Sequence, residues 1–326
     1  MVDAVVKVND VAKTFPGGVV AVSGLDLEIP RGAVYGLIGR NGAGKTTTLK
    51  LLLGLLRPDH GTAQVFGRDL WRAGREVRSR IAYVSQAPQL YGWMTLGELC
   101  RYTAYFYPAW DGDYARQLAR RWALDWDRPV GRLSGGEQRK AATLLAFASR
   151  PALLVLDEPA ANLDPIARRE MIQELLEVIT QRDECTVLLS THQVGDLERM
   201  TEYVGFMDRG RLTMTERLED LQQRFRRVQV VFPGAAPPPG FVVPGAVRYQ
   251  VAGPVVTAIV RQTSEAELDG VRALPGARLN LFQLGLEEMF IELFGRSDRE
   301  MILSQPASAE EPSEEPASNI ISLRRS

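Results

Sequence analysis

Gly39-Arg40-Asn41-Gly42-Ala43-Gly44-Lys45-Thr46 is the segment that decides the fold of this 326-residue chain. It matches the glycine-rich pattern whose backbone N–H groups surround a phosphate. The apolar run Ala33 to Ile38 leads into it, and Thr46 to Leu56 has helical character and ends at a turn cluster. Strand, glycine loop and helix in this order are the context that a phosphate-binding loop requires. The segment therefore predicts a P-loop nucleotide site in an α/β domain.

The residues of this loop have separate physical tasks. The glycines let the backbone curl, and the helix that follows directs the positive end of its dipole at the same anion. Lys45 brings a positive charge to the β- and γ-phosphates, Thr46 offers a hydroxyl to Mg²⁺, and Thr47 bonds an adjacent phosphate. The predicted nucleotide-binding residues of the loop are Gly39, Asn41, Gly42, Gly44, Lys45, Thr46 and Thr47.

A second glycine turn lies later in the chain, in Leu133-Ser134-Gly135-Gly136-Glu137, and a helical pattern continues from it to Arg150. A serine hydroxyl and backbone N–H groups at a helix N-terminus form an anion site. Ser134, Gly135 and Gly136 are therefore candidate nucleotide contacts as well.

The third motif is an apolar run, Leu153 to Leu156, which ends in Asp157 and Glu158. A carboxylate at the end of a buried strand is costly unless it engages a cation or a water ligand of that cation. We expect Asp157 to do so with Mg²⁺. Glu158 points to the opposite side of the strand and is placed to reach the water that faces the γ-phosphate. The P-loop favours this interpretation over a solvated carboxylate pair.

In their order and approximate spacing the three motifs resemble the ATP-binding subunit of an ABC transporter, from about Val5 to about Gly210. The resemblance implies a P-loop NTPase cassette with a mixed sheet core and a helical subdomain, which hydrolyses ATP with Mg²⁺. It implies that Glu158 is the catalytic base. It also implies a homodimer in which each ATP lies between one P-loop and the Ser134 to Gly136 turn of the second copy.

Four more site residues follow from the resemblance. His192 looks like the switch histidine that contacts the γ-phosphate, and Gln86 like the Q-loop glutamine that bonds Mg²⁺ or water. Phe15 corresponds to the aromatic residue that stacks on adenine; the family more often has Tyr there, and Phe keeps the π-face. Asn162-Leu163-Asp164 resembles the D-loop that couples the two sites, although Ala160 and Ala161 replace its usual hydroxyl residues. The expected catalytic residues are therefore Glu158, His192 and Gln86. The expected metal ligands are Thr46, Gln86 and Asp157. Asp164 is a further expected nucleotide-binding residue.

The chain divides into three predicted parts. Residues 1–218 form the cassette, with a helical subdomain at about 90–150, and residues 219–303 form a small α+β accessory domain. Residues 304–326 form a disordered tail, because their Ser, Pro, Ala and Glu cannot bury enough apolar surface to fold. The predicted elements of the accessory domain are strands at 228–232, 241–243, 247–251 and 255–260, a helix from Ser264 to Leu274 with Ser264 as N-cap, and a helix from Leu286 to Phe294.

Bulk composition limits the environment and the partners. The net charge of −1 provides no electrostatic footprint for nucleic acid. Two isolated cysteines indicate a reducing compartment, and no stretch approaches the ~20 apolar residues that a membrane span needs. Together with these observations, the resemblance implies a cytoplasmic protein that is peripheral on the inner face of the cell membrane, bound there through a separate membrane-spanning permease subunit.

Two short segments indicate a branch of the family. Leu286 to Phe294 resembles the closing helix of ABC-2-type exporter ATPases, and Tyr107 to Asp111 resembles a segment of subunits found beside small bacterial drug and peptide exporters. The branch implies export of a lipid, peptide, drug or polysaccharide. The permease would dock between Gln86 and Leu133, where the candidate lining residues are Tyr91, Trp93, Tyr105, Phe106 and Trp110.

Three alternatives remain open at this point. The first is a soluble ABC ATPase that is not coupled to transport. The second is an importer ATPase, whose C-terminal extension is typically an all-β regulatory barrel. The third is a module that holds ATP without turnover, although Glu158 and His192 are both present.

Overall fold

The computed structural model describes residues 3–161, 163–181, 185–234, 236–261 and 263–294. Asn162 of the predicted D-loop, residues 295–303 of the predicted accessory domain and the predicted tail 304–326 lie outside the described residues.

The centre of the molecule is a mixed sheet of six strands. Five of them are parallel and the last pairs antiparallel to its neighbour. The inner strands are buried along their whole length, as continuous apolar runs in a sheet covered on both faces should be. In spatial order the strands are β5 (Ile81–Val84), β6 (Leu153–Asp157), β7 (Thr186–Thr191), β3 (Val34–Gly39), β8 (Tyr203–Asp208) and β9 (Arg211–Arg217).

The register of the parallel strands brings the predicted motifs to one edge. Ile38 of β3 is paired with Thr191 of β7, and Asp157 of β6 is paired with Ser190 of β7. The carboxyl ends of three adjacent strands therefore lie side by side, which is where open α/β sheets bind their ligands.

A second, antiparallel sheet covers one side of the core. Its strands are β2 (Val19–Pro30), β1 (Ala4–Phe15) and β4 (His60–Val65), in that spatial order. Their apolar residues share one buried cluster with β3 and with helix α1 (Lys45–Leu52), which follows the glycine loop. The same cluster includes Tyr35 and Leu49, both fully buried.

Helices cover the opposite face. The helical subdomain consists of α3 (Leu96–Ala104), α4 (Gly112–Arg121) and α5 (Gly135–Ala148), and α2 (Arg75–Arg78) and α6 (Pro165–Gln181) lie elsewhere on the cassette. Within the helical subdomain predicted at about 90–150, the chain leaves the helical conformation between α3 and α4. The physical reason is Pro108 together with Asp111, whose side chain accepts from the Tyr114 N–H and starts a new helix.

The C-terminal part begins with α7 (Leu218–Arg224) and contains a four-stranded antiparallel sheet. The sheet has the order β11 (Ala246–Ala252), β12 (Val255–Arg261), β10 (Phe225–Val231) and β13 (Arg278–Gln283), and α8 (Glu265–Arg272) shares its core. Ser264 caps α8 through a reciprocal pair of hydrogen bonds with Glu267, which confirms the predicted N-cap.

One predicted strand of this part is wrong, and one strand was not predicted. Residues 241–243 are irregular, although Val243 is fully buried, because Pro244 and Gly245 turn the chain immediately after them. The strand at Arg278–Gln283 pairs with β10 through backbone hydrogen bonds. The residues of this strand are exposed or half-buried, and their sequence lacks the continuous apolar run that marks a buried strand.

The helix α9 (Leu286–Phe294) packs against the cassette and not against the C-terminal sheet alone. Leu286 and Met289 are buried in the same cluster as Val194 and Leu197, and the ring of Phe290 stacks on Phe206 with centroids 6.1 Å apart. The predicted helix at this position is confirmed. The domain boundaries at 218 and 303 stay a prediction, with the added observation that α9 contributes to the core of the cassette.

The described ranges contain no helix that is both long enough and apolar enough to cross a bilayer.

The packing of α9 generates a stability prediction. Met289→Ala should lower the free energy of unfolding by about 2–5 kcal/mol, because it removes a buried side chain from the cassette core. Ile291→Ala is the matched control on the same helix: Ile291 is 52% exposed, and the expected change is within about 0.5 kcal/mol. Urea denaturation measures both. Equal effects of the two substitutions would show that α9 is not part of the core.

Candidate active site

The glycine loop joins β3 to α1, and its backbone has the conformation that the motif predicts. Gly42 and Gly44 have φ angles of 81° and 103°, in the left-handed region that glycine tolerates. Gly39 is needed for a different reason: a Cβ there would lie 2.4 Å from the carbonyl oxygen of Met207 on β8. Gly44 is the N-cap of α1 and has no side chain to accept from the helix's first N–H groups. Those groups are therefore left for an anion.

Lys45 is the first residue of α1, and its ammonium is directed at the glycine loop. The side chain is only 6% exposed, and Nζ donates to the carbonyl oxygens of Gly39 at 2.7 Å and Arg40 at 3.3 Å. Nζ also lies 3.1 Å from Glu158 Oε1, which is itself buried. The charge of Lys45 is thus shared between the P-loop and the carboxylate at the end of β6.

Asp157 ends β6 and is only 1% exposed as a residue, and hydroxyl groups surround its carboxylate. Oδ1 accepts from Ser190 Oγ at 2.6 Å and from Thr46 Oγ1 at 3.1 Å, and Oδ2 lies 3.5 Å from the Tyr83 hydroxyl. Burial, and secondly the charge of Asp157, raise the pKa of Tyr83 well above its usual range. A carboxylate and a threonine hydroxyl this close together form a hard oxygen donor set that suits Mg²⁺.

Glu158 has an unusual backbone and a well-defined set of partners. Its φ of 52° is left-handed, a conformation that costs about 1–3 kcal/mol in a residue other than glycine and is found mostly at functional sites. The Glu158 N–H donates to the Ser190 carbonyl at 3.0 Å. Oε2 lies 2.9 Å from His192 Nδ1, while Oε1 faces Lys45. The expected base, switch histidine and P-loop lysine therefore meet at one carboxylate.

Several predicted site residues lie apart from this cluster. Ser134 caps α5: its hydroxyl accepts from the Glu137 N–H at 3.3 Å, and Glu137 Oε2 accepts from the Ser134 N–H at 2.7 Å. Gly135 and Gly136 form the first turn of α5 in open space. Within the described part of the chain, no hydrogen bond or ion pair joins this turn to the P-loop.

Three further predicted residues have other positions. Asp164 caps α6, accepting from the N–H groups of Ala167 and Ile166 at 3.0 Å each, and these bonds hold its pKa below the usual range. Gln86 is exposed just after β5, and Phe15 is half-buried at the end of β1. Thr47 and Asn41 lie in α1 and in the glycine loop respectively, as their motif requires.

Sequence reasoning missed three residues that support the site. Tyr83 and Ser190 are polar residues in or at the end of apolar strands, and a polar group in such a position is a signal of a buried hydrogen-bond partner. Arg139 is 8% exposed and lies on a face of α5 with Ala142, Thr143 and Ala146, all buried. A cation at an apolar-face position of a helix is the signal that would have identified it.

Comparison with known proteins identifies the family. The family model described as "ABC transporter" matches residues 22–161. ABC transporter ATP-binding protein YtrB of Bacillus subtilis is 29% identical over 300 residues, covering 90% of this chain and 99% of the relative. Nod factor export ATP-binding protein I of Sinorhizobium fredii is 32% identical over 307 residues, covering 90% and 87%.

Two further comparisons extend this result. Phosphonates import ATP-binding protein PhnC 2 of Trichodesmium erythraeum is 32% identical over 244 residues, covering 70% of this chain and 93% of the relative. A solved structure described as the ATP binding subunit of an ABC transporter superposes with a TM-score of 0.61 at 28% identity, covering 67% of this chain and 92% of the other.

The fold and the site define a P-loop ATPase with a mixed-sheet cassette. The chain belongs to the ATP-binding proteins of ABC transporters, which bind ATP and hydrolyse it in a reaction coupled to transport. The expected fold class and family are thereby confirmed.

The close approach of the glycine loop to β8 generates a prediction about nucleotide affinity. Gly39→Ala should weaken binding of a fluorescent ATP analogue by about tenfold or more, because overpacking against the Met207 carbonyl shifts the loop at a cost of about 1–3 kcal/mol. Gly74→Ala is the control, since a Cβ at Gly74 meets no atom within 4 Å. Its affinity should stay within about twofold of wild type. Equal affinity in the two variants would contradict the steric argument.

Proposed function

We propose that this protein is the ATP-hydrolysing subunit of an export complex. Two copies dimerise head to tail around two ATP molecules and drive a separate membrane subunit that exports a lipid, peptide, drug or polysaccharide. The observation that carries the catalytic part of the proposal is the meeting of Lys45 and His192 at the carboxylate of Glu158, beside the Asp157 and Thr46 oxygens.

Nucleotide binding follows from the charges and donors of the loop. The backbone N–H groups of Gly39 to Gly44 and the N-terminus of α1 surround the phosphates, and Lys45 neutralises them. Thr46, Asp157 and Gln86 would hold Mg²⁺, which supplies charge neutralisation at the phosphate oxygens. Phe15 is the residue assigned to stacking on adenine.

Hydrolysis needs a base for the attacking water and a group that orients it. Glu158 accepts the proton from water while the water oxygen forms its bond to the γ-phosphorus, and the bond to the ADP oxygen breaks. His192 contacts the same carboxylate through Nδ1. It is therefore placed to orient the base and to contact the γ-phosphate. Glu158 is only 4% exposed, so its carboxylate has little contact with bulk water.

Dimerisation supplies the donors that the P-loop side lacks. The Ser134 to Gly136 turn presents the N-terminus of α5 in open space, where a second copy's triphosphate is the anion it would bind. Asp164 begins α6 at the segment assigned to coupling between the two copies.

The proposed permease contact is an exposed aromatic patch, defined as Tyr91, Trp93, Tyr102, Tyr105 and Phe106. Its rings pack edge to face, with Tyr102 lying 5.6 Å from Tyr91 and 5.2 Å from Phe106 between centroids. Beside it, a cleft of about 230 Å³ between β5 and the helical subdomain is lined by residues that flank Gln86. Trp110, also predicted for the patch, packs against the core instead. Exposed apolar patches of this kind mark interaction sites.

The export direction and the cellular location belong to the same proposal. The similarity to a Nod factor export subunit over most of both chains supports export, and the similarity to a phosphonates import subunit supports the alternative. The C-terminal sheet is open and flanked by α8 and α9, which argues against the regulatory barrel expected of the importer alternative. We place the subunit on the cytoplasmic face of the membrane, bound through its permease, with no nucleic-acid partner.

The assignment of the base generates the first functional prediction. Glu158→Gln should abolish ATP turnover and trap an ATP-bound dimer, because the amide cannot accept the proton while the nucleotide contacts remain. Steady-state phosphate release and size-exclusion chromatography with light scattering measure the two effects. Glu177→Gln, which removes a 46%-exposed partner of Arg121, should keep the wild-type rate. Turnover of Glu158→Gln at the wild-type rate would show that another group is the base.

The aromatic patch generates the second functional prediction. Trp93→Ser combined with Tyr105→Ser should abolish co-purification of an integral membrane protein from native membranes in mild detergent, because both side chains are at least 74% exposed and have no role in the core. Val242→Ser, an exposed apolar residue of the C-terminal part, is the control and should retain the partner. Mass spectrometry identifies that partner. Recovery of ribosomal proteins, or of no membrane protein with the wild type, would instead favour a soluble ABC ATPase.

A further inference from the structure

Arg139 is a buried cation that none of the roles above uses. It lies on α5, five residues after Ser134, and its side chain runs from the helical subdomain to the edge of the central sheet. Its residue exposure is 8%, and burial lowers the pKa of its guanidinium. Within the described part of the chain, no carboxylate oxygen lies within ion-pair distance of it. A buried charge without an ionic partner is costly, so its remaining partners must be good ones.

Those partners are three backbone carbonyls, one from the segment after β5 and two from the turn that follows β6. Nη2 donates to the Gln86 carbonyl at 2.5 Å, and Nη1 donates to the carbonyls of Glu158, at 3.1 Å, and Ala161. The planar guanidinium presents its donors in a fixed fork, which a lysine does not have. One side chain therefore joins the segment after β5 to the turn that begins with the expected base and leads to α6.

The contact with Glu158 bears directly on its strained backbone. On the amide side, the Glu158 N–H is held by the Ser190 carbonyl at 3.0 Å. On the carbonyl side, Arg139 Nη1 and the Ala161 N–H both donate to the Glu158 oxygen. A left-handed glutamate persists only when its surroundings fix it from both sides. The direction of the carboxylate, and with it the 2.9 Å contact to His192, depends on this peptide.

We propose that Arg139 is a positioning residue for hydrolysis, which orients Glu158 through its peptide and joins that peptide to the Gln86 segment and to α5. The inference rests on the proposed role of Glu158 as the base. It extends that role, because α5 begins at the turn assigned to the second copy's nucleotide. The Arg139 guanidinium is thus a direct connection between this helix and the peptide of the base.

The test separates positioning from folding and from nucleotide binding. Arg139→Met removes all the donors while keeping an unbranched side chain in the buried space. We expect kcat to fall about a hundredfold, the scale that a misplacement of about 1 Å produces, while KM and the Kd for a non-hydrolysable ATP analogue change by less than about twofold. Arg139→Lys should recover part of kcat, because an ammonium reaches some of the carbonyls but cannot hold all of them in one plane.

Lys140→Met is the matched control. Lys140 is the next cation on the same helix and pairs with Glu170 of α6 at 2.8 Å, so it tests the loss of a charge from α5 without the loss of the carbonyl contacts. Its kcat should stay within about twofold of wild type. A second measurement uses residual single-turnover rates: adding Arg139→Met to Glu158→Gln should lower the residual rate much less than it lowers the wild-type rate.

Each outcome decides the matter. Wild-type kcat in Arg139→Met, equal losses of kcat and affinity, or a full additive loss in the Glu158→Gln background would overturn the inference. If Arg139→Met does not fold, the kcat of Arg139→Lys is the test, and a wild-type kcat in Arg139→Lys would overturn the inference. Turnover in Glu158→Gln at the wild-type rate would instead overturn the proposed function. That measurement is made with Arg139 unchanged, so the two failures can be distinguished.

Discussion

The buried ion pair between Lys45 and Glu158 is the interaction on which the site depends. Both side chains are about 5% exposed, and their charged atoms lie 3.1 Å apart at the edge of an apolar sheet. Such a pair is tolerated only when each remaining lone pair and proton has a partner. The carbonyls of Gly39 and Arg40 accept the other hydrogen bonds of the Lys45 ammonium, and His192 contacts the second oxygen of the Glu158 carboxylate.

The parallel sheet makes this arrangement possible. Because β6, β7 and β3 are adjacent and in register, the residues that follow them are forced to the same edge. Asp157 is the last residue of β6 and Glu158 follows it with a left-handed backbone; one carboxylate faces the Thr46 hydroxyl and the other faces Lys45. Two neighbouring acids thus acquire different surroundings, which is how a protein assigns them different chemistry.

The C-terminal part is joined to the same machinery. Helix α9 packs against the 3₁₀ helix Val194–Arg199, which begins two residues after His192. Its Phe290 ring stacks on Phe206 of β8, the strand whose Met207 carbonyl restricts Gly39. Arg227 of β10 pairs with Glu288 of α9 at 2.9 Å. Through α9, the C-terminal part therefore contacts the cassette next to His192 and at the strand that borders the glycine loop.

Local sequence determined the parts of this protein whose chemistry is encoded over a few residues. The glycine loop, the apolar strands that precede it and Asp157, the Ser264 cap and the helix at Leu286–Phe294 were all predicted, because backbone conformation and apolar periodicity are short-range properties. The irregular segment at 241–243 and the strand β13 were not, because burial there is decided by neighbours distant in the sequence.

What only the tertiary structure decided is which groups meet. The hydroxyls of Ser190 and Tyr83 reach Asp157 across adjacent strands, and Arg139 reaches three carbonyls that lie 19 to 53 positions from it along the chain. Nothing in the local sequence of Arg139 specifies those partners, since they are backbone atoms of no particular residue type. The sequence alone determined the ligand class through its phosphate-binding loop. The fold determined how the Glu158 carboxylate is held, because the orientation of a buried carboxylate depends on long-range contacts.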